Sequence, residues 1–158
     1  MQSISFAVIA LAALIVGCSP NAQRPGTALS GAEAALPADW RFTDATKEIQ
    51  LQVHTPYLIP HAVTIWCAQV DGALYVAASA PSQKRWPSWV DRDPNVRLDI
   101  DGKIYDVKLV PLESAEQIDP VRTAYATKYQ LPANTANANP AFREVRYWHV
   151  VPRETSAT

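Results

Sequence analysis

From Lys47 to Thr55 apolar and polar side chains alternate, with Ile49, Leu51 and Val53 on one side and Gln50, Gln52 and His54 on the other. A period of two with one wet face predicts a half-buried strand. Two Asp-Gly pairs follow, Asp71-Gly72 and Asp101-Gly102, each between β-rich runs. A type I′ hairpin turn needs positive φ at both central positions, which this pair tolerates. A turn at Asp101-Gly102 sets Leu98 opposite Tyr105 and Val96 opposite Val107. One face then collects Val96, Leu98, Ile100, Tyr105, Val107 and Leu109. On the other face Arg97 meets Asp106, a favourable cross-strand pair. The turn at Asp71-Gly72 gathers Val63, Ile65, Cys67, Leu74, Val76 and Ala78 on one face and leaves Trp66 and Tyr75 on the reverse. Strands apolar on both faces belong in the middle of a sheet or barrel.

The segment Ser114-Ala-Glu-Gln117 has the form of a capping box, and Asp119-Pro120 that of an N-cap followed by a first-turn proline. A helix is predicted through Val121, Ala124, Tyr125 and Lys128 to Tyr129. Residues Leu131 to Pro140 form a loop by composition, and Arg143 to Val151 a last strand. The order is β-β-β-(short helix)-β-β-α-β, mainly β within an α+β class. It predicts a small antiparallel barrel of five or six strands with one or two short helices.

Ahead of this pattern, every residue from Phe6 to Gly17 is apolar or small, and Cys18 follows. The run falls short of the roughly 20 apolar residues of a membrane span and suits a secretory leader. Ile15-Val16-Gly17-Cys18 resembles the lipobox of bacterial lipoproteins, which implies cleavage before Cys18 and acylation of its thiol and amine. The n-region MQSIS carries no Lys or Arg. The alternative is an uncleaved anchor with Cys18 unmodified. Ser19, a non-Asp residue after the Cys, implies the outer membrane, facing the periplasm, by the enterobacterial sorting pattern. Residues 19–37 are rich in Ala, Ser, Gly and Pro without apolar periodicity and read as a flexible tether. The predicted division is a leader over 1–17, a lipidated tether over 18–38, and one domain over 39–154.

The chain has 158 residues, 48% hydrophobic and 18% charged, with net charge −1, enough for one core. No basic face is available to neutralise phosphates, so nucleic acid is not an expected partner. The domain's two glycines, Gly72 and Gly102, are both used in hairpins, leaving no Gly-rich phosphate loop. His54, His61 and His149 lack metal-ligand spacing, and no metal is expected. His54 and His61 flank one loop, across which they could meet. Cys67 falls among core positions with no cation evident beside it. Asp91, Asp93, Asp99 and Asp101 fall on turns and outer faces, where solvation accounts for them. No nucleophile or acid–base set emerges, so no catalytic residue is named.

Ser79-Ala-Pro-Ser-Gln-Lys-Arg-Trp-Pro-Ser-Trp89 joins the two hairpins. Lys84 and Arg85 could pair with a phosphate, Ser79 and Ser82 could donate to it, and Trp86 or Trp89 could stack on a planar ring. The plainer reading is a lid whose indoles cover a barrel mouth while its charges face water.

The run Thr64-Ile-Trp-Cys-Ala-Gln-Val-Asp-Gly-Ala-Leu-Tyr-Val-Ala-Ala-Ser79 resembles a hairpin of the pyridoxamine 5′-phosphate oxidase-like split barrels, nearest the deazaflavin-dependent nitroreductase-like group. Pro87-Ser-Trp89, Asp93-Pro-Asn-Val-Arg-Leu98, Ala124-Tyr-Ala-Thr-Lys-Tyr129 and Val150-Val-Pro-Arg153 follow in the family's order. The resemblance implies a six-stranded antiparallel split β-barrel that forms a homodimer and holds FMN or a deazaflavin at the subunit interface. It carries Ser79, Lys84 and Trp89 over as cofactor contacts. Family loops of this kind often hold Gly where this chain has Ala80-Pro81. The implied activity is flavin- or deazaflavin-dependent reduction of a small molecule by a membrane-anchored lipoprotein. A cofactor-free envelope binding or assembly module is the alternative, since fold does not fix function.

Overall fold

The computed structural model describes residues 28–135 and 139–154. The leader, Cys18 and tether residues 18–27 lie outside them. The elements are β1 (Ala32–Glu33), β2 (Glu48–His54), β3 (Pro60–Val70), β4 (Ala73–Ser79), α1 (Trp86–Val90), β5 (Asn95–Ile100), β6 (Lys103–Pro111), α2 (Ala115–Lys128) and β7 (Val145–Pro152). Short 3-10 turns occupy Arg41–Ala45, Pro81–Gln83 and Pro140–Phe142.

Six strands form an antiparallel barrel in the order β6-β5-β2-β3-β4-β7, closed by pairing of β6 with β7. Closure removes the sheet's edges apart from the splayed region described below. Both hairpin registers follow their Asp-Gly turns: Leu98 pairs with Tyr105, Val96 with Val107, Arg97 with Asp106 and Cys67 with Val76. Asp71, Gly72, Asp101 and Gly102 all have positive φ, as a type I′ turn demands. The barrel interior is filled by the predicted faces, including Ile49, Leu51, Val53, Leu74, Val76, Val96, Leu98, Val107 and Leu109, with Trp148 fully buried among them. α1 adds Trp86 and Val90 to this core.

The second apolar face of the first hairpin is covered by α2. Val121 and Tyr125 pack there with Ala68 and Tyr147, flanked by Trp66, Tyr75 and Tyr129. The helix begins earlier than Asp119-Pro120 suggests. Ser114 accepts from the Gln117 backbone at 3.3 Å, and the Gln117 side chain accepts from the Ser114 N–H, so the capping box sets the start. Pro120 therefore sits inside the helix, where its missing N–H removes one backbone bond.

The described part of the compositional tether lies along the barrel. Ala32 and Glu33 pair in parallel with Lys103 and Ile104, and Leu29 is buried against Ala62 and Ile104. The Leu29 N–H donates to Gln52 Oε1 at 2.7 Å. Low periodicity hid this strap because it needs a single large apolar anchor rather than a repeating face.

Candidate functional site

The β3–β4 ladder runs from the Val70–Ala73 pair to the Cys67–Val76 pair and stops there. Beyond it the strands diverge, although β3 stays paired with β2 and β4 with β7. A cleft of about 800 Å³ opens between them, lined by Val63–Trp66 of β3 and Ala77–Ser79 of β4. α1 and its approach supply Lys84, Arg85, Trp86 and Trp89, while His61, Glu48 and Phe142 complete the wall. The volume lies within the range of small-molecule and cofactor sites.

Tyr125 of α2 and Tyr129 at its C-cap brace the point of divergence. Tyr125 Oη lies 3.0 Å from the Trp66 carbonyl and 3.1 Å from that of Tyr75, and its one proton serves either strand. Tyr129 Oη accepts from the Cys67 N–H at 3.1 Å and lies 2.6 Å from the Lys47 carbonyl. Its ring stacks on Trp66 at 4.1 Å. Burial pushes both phenols well above their ordinary pKa, so they remain neutral donors.

All three residues carried over by resemblance, Ser79, Lys84 and Trp89, line this one cleft. Lys84 Nζ donates to the Ser79 carbonyl and lies 3.4 Å from Ser79 Oγ, so cation and hydroxyl share one corner. Among the described residues, neither Lys84 nor Arg85 belongs to an ion pair. Trp89 is half-buried, with His61 edge-on to it at 5.3 Å. Trp86 instead packs into the core, 5.1 Å from Trp148, and contributes wall rather than a free stacking face. Ser82 is exposed and does not line the cleft. Ala80 holds a left-handed backbone (φ 44°), the conformation Gly would adopt freely, and its N–H lies 2.8 Å from the Glu144 carbonyl.

Sequence reasoning missed Thr64, Phe142 and Glu48 as wall residues, because the splay of β3 from β4 leaves no periodic trace. The histidines do not meet. His54 Nδ1 lies 2.7 Å from Asp93 Oδ2, and His61 turns to the cleft. Among the described residues, no group of three His, Cys, Asp or Glu side chains could hold a metal.

Two expectations need correction. A cation does approach Cys67: Lys128 Nζ lies 3.6 Å from Sγ while donating to the Cys67 and Thr43 carbonyls. Burial nevertheless outweighs that cation and pushes the thiol pKa up. The aspartates are also more than solvated. Asp91 binds Arg146 through both oxygens at 2.6 and 2.9 Å, Asp99 accepts from the Gly102 N–H, and Asp101 accepts from Thr46. Asp93 binds His54 and the Asn95 N–H.

A closed six-stranded barrel, splayed between β3 and β4 and braced by an outer helix, is a split β-barrel. Three solved structures show the same fold. A conserved hypothetical protein, Rv2991, from Mycobacterium tuberculosis superposes with TM-score 0.56 at 18% identity, over 77% of this chain and 87% of that one. A putative 5-nitroimidazole antibiotic resistance protein from Bacteroides thetaiotaomicron gives TM-score 0.54 at 13% identity, over 71% and 76%. An F420-H2 dependent reductase gives 0.51 at 17% identity, over 66% and 94%. No curated protein matches the chain in sequence. The chain belongs to the family described as "Uncharacterized protein conserved in bacteria (DUF2255)", whose model matches residues 41–145.

Proposed function

We propose that the cleft binds a phosphorylated planar ring of the flavin or deazaflavin type, and that the domain uses it to reduce a small molecule. The observation carrying this reading is the pair Lys84 and Arg85, without ion-pair partners among the described residues, beside Ser79 and Trp89 at the rim of an otherwise largely apolar cleft. Two cations outside any ion pair among the described residues, with a hydroxyl beside them, suit a phosphate, and indole and apolar walls suit a ring. The bound group would supply the redox chemistry, while the chain binds it, orients it and excludes water. The F420-H2 dependent reductase of like fold supports the reading by analogy. A further structure of this fold is a domain-swapped dimer, and a homodimer is proposed here. The setting is also a proposal: Cys18 carries the lipid, and the domain faces the periplasm from the outer membrane.

Titration of the protein with FMN and with a deazaflavin, followed by Trp fluorescence, tests the reading. Binding of either is expected to quench emission, with Trp89 in the cleft wall. Lys84→Ala is expected to weaken binding by about 1.5–3 kcal/mol, the scale of a hydrogen bond to a charged group. A folded β spectrum without binding of either would leave the cofactor-free envelope module.

A further inference from the structure

The loop between β2 and β3 breaks two local rules at once. Leu58 is 95% exposed, and Tyr57 and Ile59 beside it are 69% and 65% exposed. Leu58 also has φ 61°, a left-handed backbone that Gly or Asn would adopt at lower cost. The loop is nevertheless firmly built. Thr55 Oγ1 donates to the Ile59 carbonyl at 2.7 Å, the Leu58 N–H donates to the Thr55 carbonyl at 3.2 Å, and Pro56 and Pro60 stiffen the flanks. A hairpin needing only a turn would place polar residues here. An apolar tip held out on a rigid support points to a partner outside the chain.

We infer that Tyr57-Leu58-Ile59 is a wedge that enters a lipid surface and seats the barrel on the membrane. The inference rests on the anchor proposed above. The described chain begins beside this loop: Leu29 is held by Gln52 and packs on Ala62. Gln52 pairs with Ala62, two ladder positions from the His54–Pro60 pair where the tip starts. Eleven residue steps separate Cys18 from Leu29, a reach of at most about 40 Å. An acylated Cys18 would thus hold this end of the barrel close to the bilayer. The groove beneath the tip is lined by Leu58, Ile59, Trp89 and exposed Arg92, a cation suited to headgroup phosphate. Among the described residues the only carboxylate lining it, that of Asp93, is engaged by His54 and Asn95. α2 covers the far half of β3, around Trp66 and Cys67, so its exposed Glu116 and Asp119 serve as a reference away from the lipid.

The full chain, isolated from membranes and reconstituted in phosphatidylethanolamine–phosphatidylglycerol vesicles with diazirine-tailed phosphatidylethanolamine, provides the test. Irradiation and peptide mass spectrometry are expected to place lipid adducts on Tyr57, Leu58 or Ile59 and none around Glu116 and Asp119. Leu58→Ser with Ile59→Ser is expected to lower the tip adducts about tenfold while the β spectrum is kept. Adducts confined to residues before 28, or a tip cross-linked to a second copy of the chain, would overturn the wedge. The intact mass of the same sample reports acylation of Cys18 separately. Failure of the anchor is thereby distinguished from failure of the tip, which the adducts read in either case.

Discussion

His149 lies half-buried on β7 with its ring stacked on Tyr75 at 4.9 Å, and burial pushes its pKa below the ordinary 6.5. The folded state therefore resists a proton that the unfolded chain accepts. The unfolded state binds more protons as pH falls through 6.5, so stability from this group is whole above that value. It is lost as pH drops toward the depressed folded value. Urea midpoints are expected to decline between about pH 7.5 and 5.5, and His149→Gln is expected to flatten that decline. An unchanged slope in the variant would clear His149 of the effect. Single residues were legible in sequence where chemistry is local. Ser79 and Lys84 stand five positions apart on one loop and do share a corner. Lys128 beside Cys67 was not legible, because 61 positions separate them and only the packing of α2 on β3 joins them.

The hairpins show what an element inherits from its turn. Asp-Gly dictates a two-residue connection, and the connection fixes every cross-strand pair, which is why Arg97 opposite Asp106 could be read before the fold was known. The two glycines are not equivalent, however. At Gly102 (φ 79°) an added Cβ meets nothing within 4 Å, so Gly102→Ala is expected to cost only the left-handed backbone penalty, about 1 kcal/mol. At Gly72 (φ 85°) the same Cβ would lie 3.0 Å from Asp39 Cβ and 3.3 Å from Arg41 Nη1. Gly72→Ala should therefore be the more destabilising of the pair in chemical denaturation, and equal costs would show that the Asp39 contact yields freely. Helix α2 was less legible because two start signals, at Ser114 and at Asp119, compete for its first turn. The Ser114–Gln117 box satisfies backbone donors at both ends of that turn, and the helix tolerates Pro120 further on.

At the scale of the molecule, the barrel and its strap form one folded unit, and the boundary at residue 39 suggested by composition cuts through it. Leu29 closes a small cluster with Ala62 and Ile104, β1 bonds to β6, and Glu33 pairs with Arg97, which also meets Asp106. Removing the strap would bare Ile104 and Ala62, both now fully buried, and would leave the Gln52 side chain without the Leu29 N–H. The ion pair is partly exposed and contributes little on its own. The apolar anchor dominates, so Leu29→Ala is expected to lower unfolding free energy by about 2 kcal/mol, near the low end for buried Leu because the site lies at the barrel's surface. A chain beginning at Asp39 should lose at least as much, with a smaller denaturant slope because less surface is buried on folding. If it unfolds at the same urea concentration and slope as a chain beginning at Ala28, the strap is only laid on the barrel and the folded unit starts at Asp39. A deficit in both would place the start of the domain at the strap.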